Sequence, residues 1–180
     1  MERKTPAGKL ERMLQLYCAT GGVIDYTIFA LKTQEQADIE SHRQAAFSAV
    51  PPQSANQAKD ATCTEISIAE FIGPDFDLVT QCFRERTAAQ DYMYAFIDPP
   101  YPLLTPGEYK RLPEADILWI FNDINALLFD SFQPELVIYV WSADWSDYFD
   151  EGQEWWGSFL WTVYNPQQNF IVVIAASATD

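Results

Sequence analysis

Acidic and aromatic side chains are concentrated in one short stretch of the chain, residues 144–157. The stretch reads DWSDYFDEGQEWWG and holds five carboxylates and five aromatic rings in 14 residues. It lies between two predicted strands, and loops on a rigid scaffold often carry function. We call it the acidic aromatic segment, and its candidate binding residues are Asp144, Trp145, Asp147, Tyr148, Asp150, Glu151, Glu154, Trp155 and Trp156.

Three interpretations of the acidic aromatic segment remain open. In the first, its rings close the end of a sheet while its carboxylates keep it soluble. In the second, exposed Trp and Tyr side chains contact a partner, and the carboxylates pair with the partner's Lys and Arg. In the third, the carboxylates do chemistry. The candidate acid/base residues of a hydrolase are then Asp147, Asp150, Glu151 and Glu154, and a weaker alternative is a hard-cation site at Asp144, Asp147 and Asp150.

The charge of the chain indicates what kind of partner this segment would bind. There are 26 acidic and 11 basic residues, which gives a net charge of −15. Eleven acids follow Arg111 with no Lys, Arg or His among them, and all six tryptophans lie in the same part of the chain. This charge repels nucleic-acid phosphates and anionic membranes. We therefore expect a basic protein partner, no direct binding of nucleic acid and no membrane binding.

Several common chemistries are excluded or disfavoured by the residues present. His42 is the only histidine, so a zinc site with two histidines is impossible, and its place in a predicted helix favours an exposed side chain. No G-x-S-x-G, G-x-x-x-x-G-K-[ST] or G-x-G-x-x-G motif occurs. There is no obvious cationic clamp for a phosphate; Lys110 and Arg111 could provide one, but we interpret them as a solvated pair on a helix. We expect no cofactor and no metal.

Cysteine usage and hydropathy predict the compartment. Cys18, Cys63 and Cys82 are odd in number, widely spaced and set among apolar neighbours, which favours reduced thiols in the core. The charged N-terminus has no apolar stretch of signal-peptide length, and the longest apolar run, residues 170–176, is too short to cross a bilayer. A cytoplasmic location is the prediction.

The elements that position these residues follow from hydrophobic spacing. Apolar residues at helical intervals predict helices, and alternating or continuous runs of β-branched and aromatic residues predict strands. The predicted helices cover residues 8–18, 33–50 and 113–129, with another after Pro74 that aligns Phe76, Val79, Cys82 and Phe83. The predicted strands cover residues 23–31, 92–97, 136–141, 155–164 and 170–176, with a shorter one within 65–72.

Breaker residues predict the connections. The small polar stretch at 51–61 predicts a flexible loop, and Thr105-Pro106-Gly107-Glu108 has the spacing of a helix capping box. A chain of 180 residues buries roughly 70% of its unfolded surface, enough for one core. We therefore predict a single α+β domain over residues 1–180, with a mainly antiparallel sheet and helices mostly on one face. Residues 170–176 are apolar on both alternating faces, which places them centrally in the sheet.

These observations favour a non-enzymatic, cytoplasmic protein-binding domain that uses an acidic, Trp-rich face, as inhibitor, immunity and adaptor proteins do. The alternative is a carboxylate-dependent hydrolase, acting on carbohydrate or assisted by a metal. A third hypothesis is a protein that mimics DNA by displaying carboxylates at phosphate-like intervals, against which the Trp content argues. The sequence predicts no oligomeric state.

Overall fold

The computed structural model of the protein describes residues 1–32, 37–54, 57–87, 89–108, 110–153 and 156–177. It contains both helices and a mainly antiparallel sheet, so the predicted α+β class is confirmed. Contacts divide the chain into two compact units. The first comprises Met1–Thr5, Asp25–Ser67 and Glu135–Asp180, and the second comprises Pro6–Ile24 and Ile68–Pro134. One domain over residues 1–180 stays a prediction.

The strands are β1 (Glu2–Lys4), β2 (Ile24–Ala30), β3 (Cys63–Ile66), β4 (Phe76–Asp77), β5 (Cys82–Phe83), β6 (Val137–Trp141), β7 (Ser158–Asn165) and β8 (Phe170–Ser177). The helices are α1 (Gly8–Ala19), α2 (Ile39–Ala49), α3 (Gln57–Asp60), α4 (Ile68–Ile72), α5 (Tyr92–Ile97), α6 (Glu114–Phe129) and α7 (Asp150–Gln153), with a 3₁₀ turn at Asp147–Phe149. None of the helices in the described part of the chain is both long and apolar enough to cross a membrane.

The first unit is built on a sheet whose described strands run in the order β1-β2-β8-β7-β6-β3. The pairs β1–β2, β3–β6, β6–β7 and β7–β8 are antiparallel. Strand β8 lies inside the sheet, as its apolar residues on both faces predict. Helix α2 packs on β7 and β8, with Ala45 and Ala46 fully buried. The core on this face includes Leu160, Tyr164, Ile171, Val173 and Ala175.

The second unit is organised around α6. Its buried face repeats at helical spacing, with Ile117, Ile120, Phe121, Ile124 and Leu128. The ring of Phe121 lies 4.9 Å from that of Phe96 and 5.2 Å from that of Phe76, centroid to centroid. Helix α1 packs against α6, and the Lys9 Nζ to Asp123 Oδ2 distance of 2.8 Å adds an ion pair. The core of this unit thus combines buried aliphatic side chains of α6 with a cluster of aromatic rings.

Most of the regular elements match their prediction. The sequence patterns at 8–18, 23–31, 113–129, 136–141 and 170–176 correspond to α1, β2, α6, β6 and β8. The helix predicted at 33–50 corresponds to α2, which begins at Ile39, where Asp38 forms a capping box with Ser41; residues 33–36 lie outside the described residues. The strand predicted at 155–164 corresponds to β7, which begins at Ser158; residues 156 and 157 are not part of it, and residue 155 lies outside the described residues.

Two predictions in the second unit were wrong. Residues 92–97 form the helix α5 rather than a strand, because the Asp91 side chain accepts a hydrogen bond from the Tyr94 amide and starts a helix there. The stretch after Pro74 forms the hairpin β4–β5 rather than a helix. Its turn is held by the Asp77 carboxylate, which accepts hydrogen bonds from the amides of Val79 and Thr80.

Three smaller expectations also change. Residues 63–66 form the strand β3, whereas 68–72 form the helix α4. Thr105-Pro106-Gly107-Glu108 forms a turn, closed by the Glu108 amide donating to the Thr105 carbonyl, rather than a capped helix start. The predicted loop at 51–61 contains the short helix α3, and residues 55 and 56 lie outside the described residues.

The cysteines and the histidine are also placed differently from our expectation. All three thiols are free, but Cys18 and Cys82 are exposed and Cys63 is half-buried, so they are not core residues. His42 was expected on an exposed helix face and is instead fully buried. The reason is the orientation of α2, whose sheet-facing side includes this position.

Candidate functional site

The acidic aromatic segment is held to the first unit by two buried rings. The side chains of Trp145 and Phe149 are both fully buried. The indole N–H of Trp145 donates to the carbonyl oxygen of Ser142, and its ring lies 4.9 Å from that of Phe47. The Phe149 carbonyl accepts a 2.8 Å hydrogen bond from the Ser158 hydroxyl. These contacts attach residues 145–149 to the core of the first unit.

A serine and a tyrosine hold the outer part of the segment. The Ser146 hydroxyl caps the 3₁₀ turn by accepting from the Tyr148 amide and donates to the carbonyl of Pro51. Tyr148 remains 38% exposed, yet its hydroxyl donates a 2.8 Å hydrogen bond to Asp25 Oδ2. Partial burial, together with the neighbouring Asp25 carboxylate, raises the pKa of Tyr148 well above its usual value. Tyr148 therefore stays neutral and can donate this hydrogen bond at any physiological pH.

The aspartates of the segment point to solvent. Asp144, Asp147 and Asp150 are exposed and form no ion pair with any described residue. Elsewhere in the described structure several acids do have a cationic partner, as in the Lys9–Asp123 contact. The side chain of Glu151 lies outside the described residues, as do all of Glu154 and Trp155. The described part of the segment is thus a fixed backbone that displays three unpaired carboxylates.

The tryptophans do not lie where an exposed binding face would need them. Trp145 and Trp156 are buried, so neither ring can be an exposed contact for a partner. Their burial matches the interpretation in which the rings close the end of the sheet. Among the tryptophans that the structure describes, Trp119 is the exposed one, at 51%, and it lies on α6 in the second unit.

The metal alternative finds no support in the described residues. No group of three or more His, Cys, Asp or Glu side chains in the described ranges is arranged to hold an ion, and this applies to Asp144, Asp147 and Asp150.

A buried polar network lies between α2 and the sheet. Thr162 Oγ1 accepts a 2.9 Å hydrogen bond from the indole of Trp141 and lies 2.8 Å from His42 Nδ1. The other imidazole nitrogen, Nε2, is buried without a hydrogen-bond partner among the described residues. Burial lowers the pKa of His42 to about 4, although the Asp38 carboxylate opposes the shift. A neutral imidazole in this position is a packing group rather than a catalytic base.

A second concentration of carboxyl groups lies in the second unit and was missed by sequence analysis. A cavity of about 630 Å³ is lined by Asp91, Asp77 and Glu70 together with apolar side chains that include Phe76, Leu78 and Val79. We call it the carboxyl cavity. Asp91 and the nearby Asp75 are only 7% and 4% exposed, and one oxygen of each carboxyl has no hydrogen-bond partner in the described structure.

The two aspartates that line the carboxyl cavity have opposite electrostatic environments. Burial raises the pKa of Asp91 to about 6; the Tyr94 amide opposes this shift and the Asp75 charge adds to it. The pKa of Asp77 is instead held well below its usual value, because Arg84 Nη2 lies 2.7 Å from Asp77 Oδ2 and two backbone amides donate to the same side chain. A protonatable carboxyl and a permanently ionised carboxylate therefore line one cavity.

The sequence contained one signal for this cavity. Asp91 precedes a short apolar run, which is where a helix N-cap is found. The approach of Asp75 and Asp91 depends on the hairpin β4–β5, which the helical spacing of Phe76, Val79 and Cys82 concealed. No local pattern indicated that these carboxyl groups meet.

Comparisons with known proteins leave the function to be argued from the structure. No protein-family model matches the sequence. The search of curated proteins also returns no significant match.

Proposed function

We propose that this protein is a non-enzymatic binding protein that recognises a basic protein partner through the exposed aspartates of the acidic aromatic segment. The observation that carries the proposal is the display of Asp144, Asp147 and Asp150, exposed and without a cation, on a backbone anchored by the buried Trp145 and Phe149. Binding of this kind suits an inhibitor, an immunity protein or an adaptor. We propose the cytoplasm as its location.

The charge distribution supports a basic partner. Unpaired acids on one surface repel one another in the free protein, and a cationic partner relieves that repulsion while gaining attraction. The net charge of −15 also speeds the approach of a basic protein by long-range attraction. Tyr148, in the same segment, is partly exposed and offers an aromatic contact for a partner.

The anchored backbone at residues 145–149 also supports the proposal. A loop that is already ordered loses little conformational entropy on binding, so more of the contact energy appears as affinity. The burial of Trp145 and Phe149 gives the segment this order. The rings thus contribute by holding the carboxylates in place, and the carboxylates make the contacts.

The experiment compares two triple variants that have the same net charge. D144N/D147N/D150N removes the proposed contacts. E11Q/E85Q/E135Q removes three exposed acids elsewhere, so both proteins carry −12 instead of −15. The partner is captured on the wild-type protein, identified, purified and then titrated into all three proteins by calorimetry.

The proposal predicts a loss of affinity confined to the first variant. Exposed ion pairs contribute about 0.2–1 kcal/mol each, so three of them change the Kd about 3- to 150-fold. The control triple is expected to stay within about 2-fold at physiological salt, where separated surface charges are screened. Equal losses in the two variants would show that total charge, not this segment, drives binding. Competition by duplex DNA for a DNA-binding partner would favour the DNA-mimic hypothesis.

A second candidate function is carboxylate-dependent hydrolysis, and the carboxyl cavity is the observation that favours it. General acid catalysis needs a carboxyl that is protonated near neutral pH, and the raised pKa of Asp91 provides one. Asp77 would be the ionised partner that stabilises positive charge in the transition state. This pair is an addition to the candidates Asp147, Asp150, Glu151 and Glu154, which stay a prediction.

The hydrolase candidate is tested on the purified protein with chromogenic glycosides and esters from pH 4 to 8. The candidate would be supported if activity fell at least about 100-fold in D91N, and if the decrease of wild-type activity above about pH 6 were absent from the residual activity of D91N. Activity that is unchanged in D91N, or absent from every substrate, would rule out Asp91 as a catalytic acid for these classes.

A further inference from the structure

The second unit also contains a cavity of opposite character to the rest of this acidic protein. It has a volume of about 510 Å³ and is lined by Arg84, Arg86 and Arg111, together with Phe83, Ile97, Leu112, Glu114 and Ile117. The chain has only six arginines, and three of them line this one cavity. We call it the arginine cavity. Arg84 and Arg86 are two residues apart in the chain, and Arg111 comes from a separate segment.

The backbone around the arginine cavity is fixed by hydrogen bonds. The Arg84 amide donates to the Asp75 carbonyl at 2.7 Å, directly after β5. Arg111 forms an isolated antiparallel bridge with Leu104, and the next amide, that of Leu112, donates to the Leu103 carbonyl at 2.8 Å. The backbone at Arg84 and at Arg111 is therefore held by hydrogen bonds. These two segments are separate in the sequence and meet only in the folded protein.

The guanidinium groups keep hydrogen-bond donors for a ligand. Arg84 Nη2 contacts Asp77 at 2.7 Å, and Arg86 Nη1 contacts Asp98 at 3.3 Å. Each contact engages one nitrogen of a group that has five N–H donors. Arg111 forms no ion pair with the described residues. Asp77 and Asp98 thus hold the guanidinium groups of Arg84 and Arg86 in position, while that of Arg111 stays available. This arrangement suits a carboxylate or phosphate oxygen as the ligand.

The start of α6 adds to this environment. Leu112, Glu114 and Ile117, which line the cavity, belong to or precede the first turn of this 16-residue helix. Pro113 occupies the N-cap position and provides no side-chain acceptor for the first amides. The positive end of the helix dipole therefore favours an anion here, although the Glu114 carboxylate opposes it.

The size and walls of the cavity define the ligand. A volume of about 510 Å³ falls in the range of small-molecule sites. Phe83, Ile97 and Ile117 give it an apolar wall beside the guanidinium groups. A polyanion such as nucleic acid would meet the net charge of −15 on the rest of the protein. A compact anion with an apolar body fits the volume, matches the apolar wall and avoids the repulsion that a polyanion would meet.

We propose that the arginine cavity binds a small organic anion, with its carboxylate or phosphate group on Arg111 and the free donors of Arg84 and Arg86, and with its body against Phe83 and Ile97. This site is independent of the acidic aromatic segment, which belongs to the first unit. It would give the protein a small-molecule ligand in addition to a protein partner.

The test uses benzoate and phenyl phosphate as probes, and benzamide as their neutral counterpart. Each is titrated into the full chain by calorimetry, or by NMR if heats are small. A nine-atom probe at the ligand efficiency of ordinary ligands has a Kd of about 10 mM or tighter. Tighter binding of benzoate than of phenyl phosphate identifies a carboxylate ligand, and the reverse identifies a phosphate; either result supports the site. Failure of both anions to bind at 10 mM, or equal binding of benzamide, overturns it.

The variants R111Q and K110Q locate the binding. Lys110 is the neighbouring residue, is exposed and carries the same charge, so K110Q is a matched control. R111Q is expected to weaken the anion at least about 10-fold, and K110Q less than 2-fold. If R111Q fails to fold by circular dichroism, R86Q replaces it. Equal weakening in R111Q and K110Q would mean diffuse charge attraction and would overturn the site. D144N/D147N/D150N should bind the probe normally, which separates this proposal from the proposed function.

Discussion

Replacing Asp91 by Asn should stabilise this protein at neutral pH, and the effect should disappear in acid. Asp91 is 7% exposed and starts α5 by accepting the Tyr94 amide on Oδ1. Its other oxygen, Oδ2, has no hydrogen-bond partner in the described structure, and neither has Oδ1 of Asp75. Asparagine keeps the acceptor that caps the helix, removes the buried charge and brings an N–H₂ group that can donate to Asp75.

The sign and magnitude follow from the pKa of Asp91. That value is about 6 in the folded protein, against the ordinary aspartate value of 3.8, which applies to the unfolded chain. The folded state therefore binds more protons between these values, and the stability associated with protonation is complete below pH 3.8 and lost as pH rises through 6. A difference of 2.2 pKa units corresponds to about 3 kcal/mol. The D91N protein has no such loss.

The assay is urea unfolding of wild type and D91N, followed by circular dichroism at pH 4, 5, 6 and 7. The stability difference between them should grow by about 2 kcal/mol in favour of D91N from pH 4 to pH 7, because at pH 4 part of the full ~3 kcal/mol is already lost. D38N is the matched control, since Asp38 is the N-cap of α2 and has its pKa lowered by Ser41. Its effect should have the opposite sign, with D38N losing stability relative to wild type as pH rises.

One outcome would refute this reasoning. If D91N were less stable than wild type at pH 7, by an amount that grew with pH, the ionised carboxylate of Asp91 would be stabilised in the folded protein. The burial argument would then be wrong. D91A provides a further check, because it loses the helix cap and should be less stable than D91N at every pH, by about 1 kcal/mol.

Three further predictions concern stability. Burial lowers the pKa of His42 to about 4, so the free energy of unfolding should fall by up to about 3 kcal/mol as pH drops from 6.5 to 4. H42Q should flatten this pH dependence in acid titrations followed by fluorescence. An unchanged slope in H42Q would contradict the prediction. W145A should lower the free energy of unfolding in urea by about 3–5 kcal/mol, because Trp145 is fully buried. W119A, at an exposed position, should lower it by less than about 1 kcal/mol. Similar losses in the two variants would contradict the assigned burial. G73A should destabilise by more than about 2 kcal/mol, because its Cβ would overlap the Asp91 carboxyl and its φ is +91°; near-neutral thermal melts would contradict this.

The elements that the sequence predicted correctly are long or strongly periodic. Helix α6 presents buried residues from Ile117 to Leu128 at a constant helical interval, so its pattern allows one structure. Strand β8 is short but apolar on both faces, and its β-branched residues distinguish it from a helix. In both cases the local pattern and the tertiary burial agree.

The wrong predictions concern short apolar runs. The sequence YMYAFI at 92–97 is buried all round, and such a run fits either a strand or a helix until its cap is considered. In 76–83 the spacing of Phe76, Val79 and Phe83 mimics a helix, while the structure exposes Val79 almost completely at the tip of a hairpin. Turn formation by the Asp77 side chain outweighed the apparent period.

The candidate site could be located from composition only in part. The carboxylates of the acidic aromatic segment are exposed where described, as a binding surface requires. The tryptophans could not be assigned, because a Trp in a loop is equally able to close a core or to meet a partner, and Trp145 does the former. The two cavities of the second unit bring together segments far apart in the chain, such as those of Arg86 and Arg111 in the arginine cavity, which no local pattern encodes.

The central claim is that the exposed aspartates of the acidic aromatic segment recognise a basic protein, and the ratio of two dissociation constants tests it most directly. The purified partner is titrated into D144N/D147N/D150N and E11Q/E85Q/E135Q at 0.15 M salt, after melts have shown that both variants are folded. We expect the Kd of D144N/D147N/D150N to be at least about 3-fold weaker than that of E11Q/E85Q/E135Q. Equal dissociation constants in the two variants would contradict it.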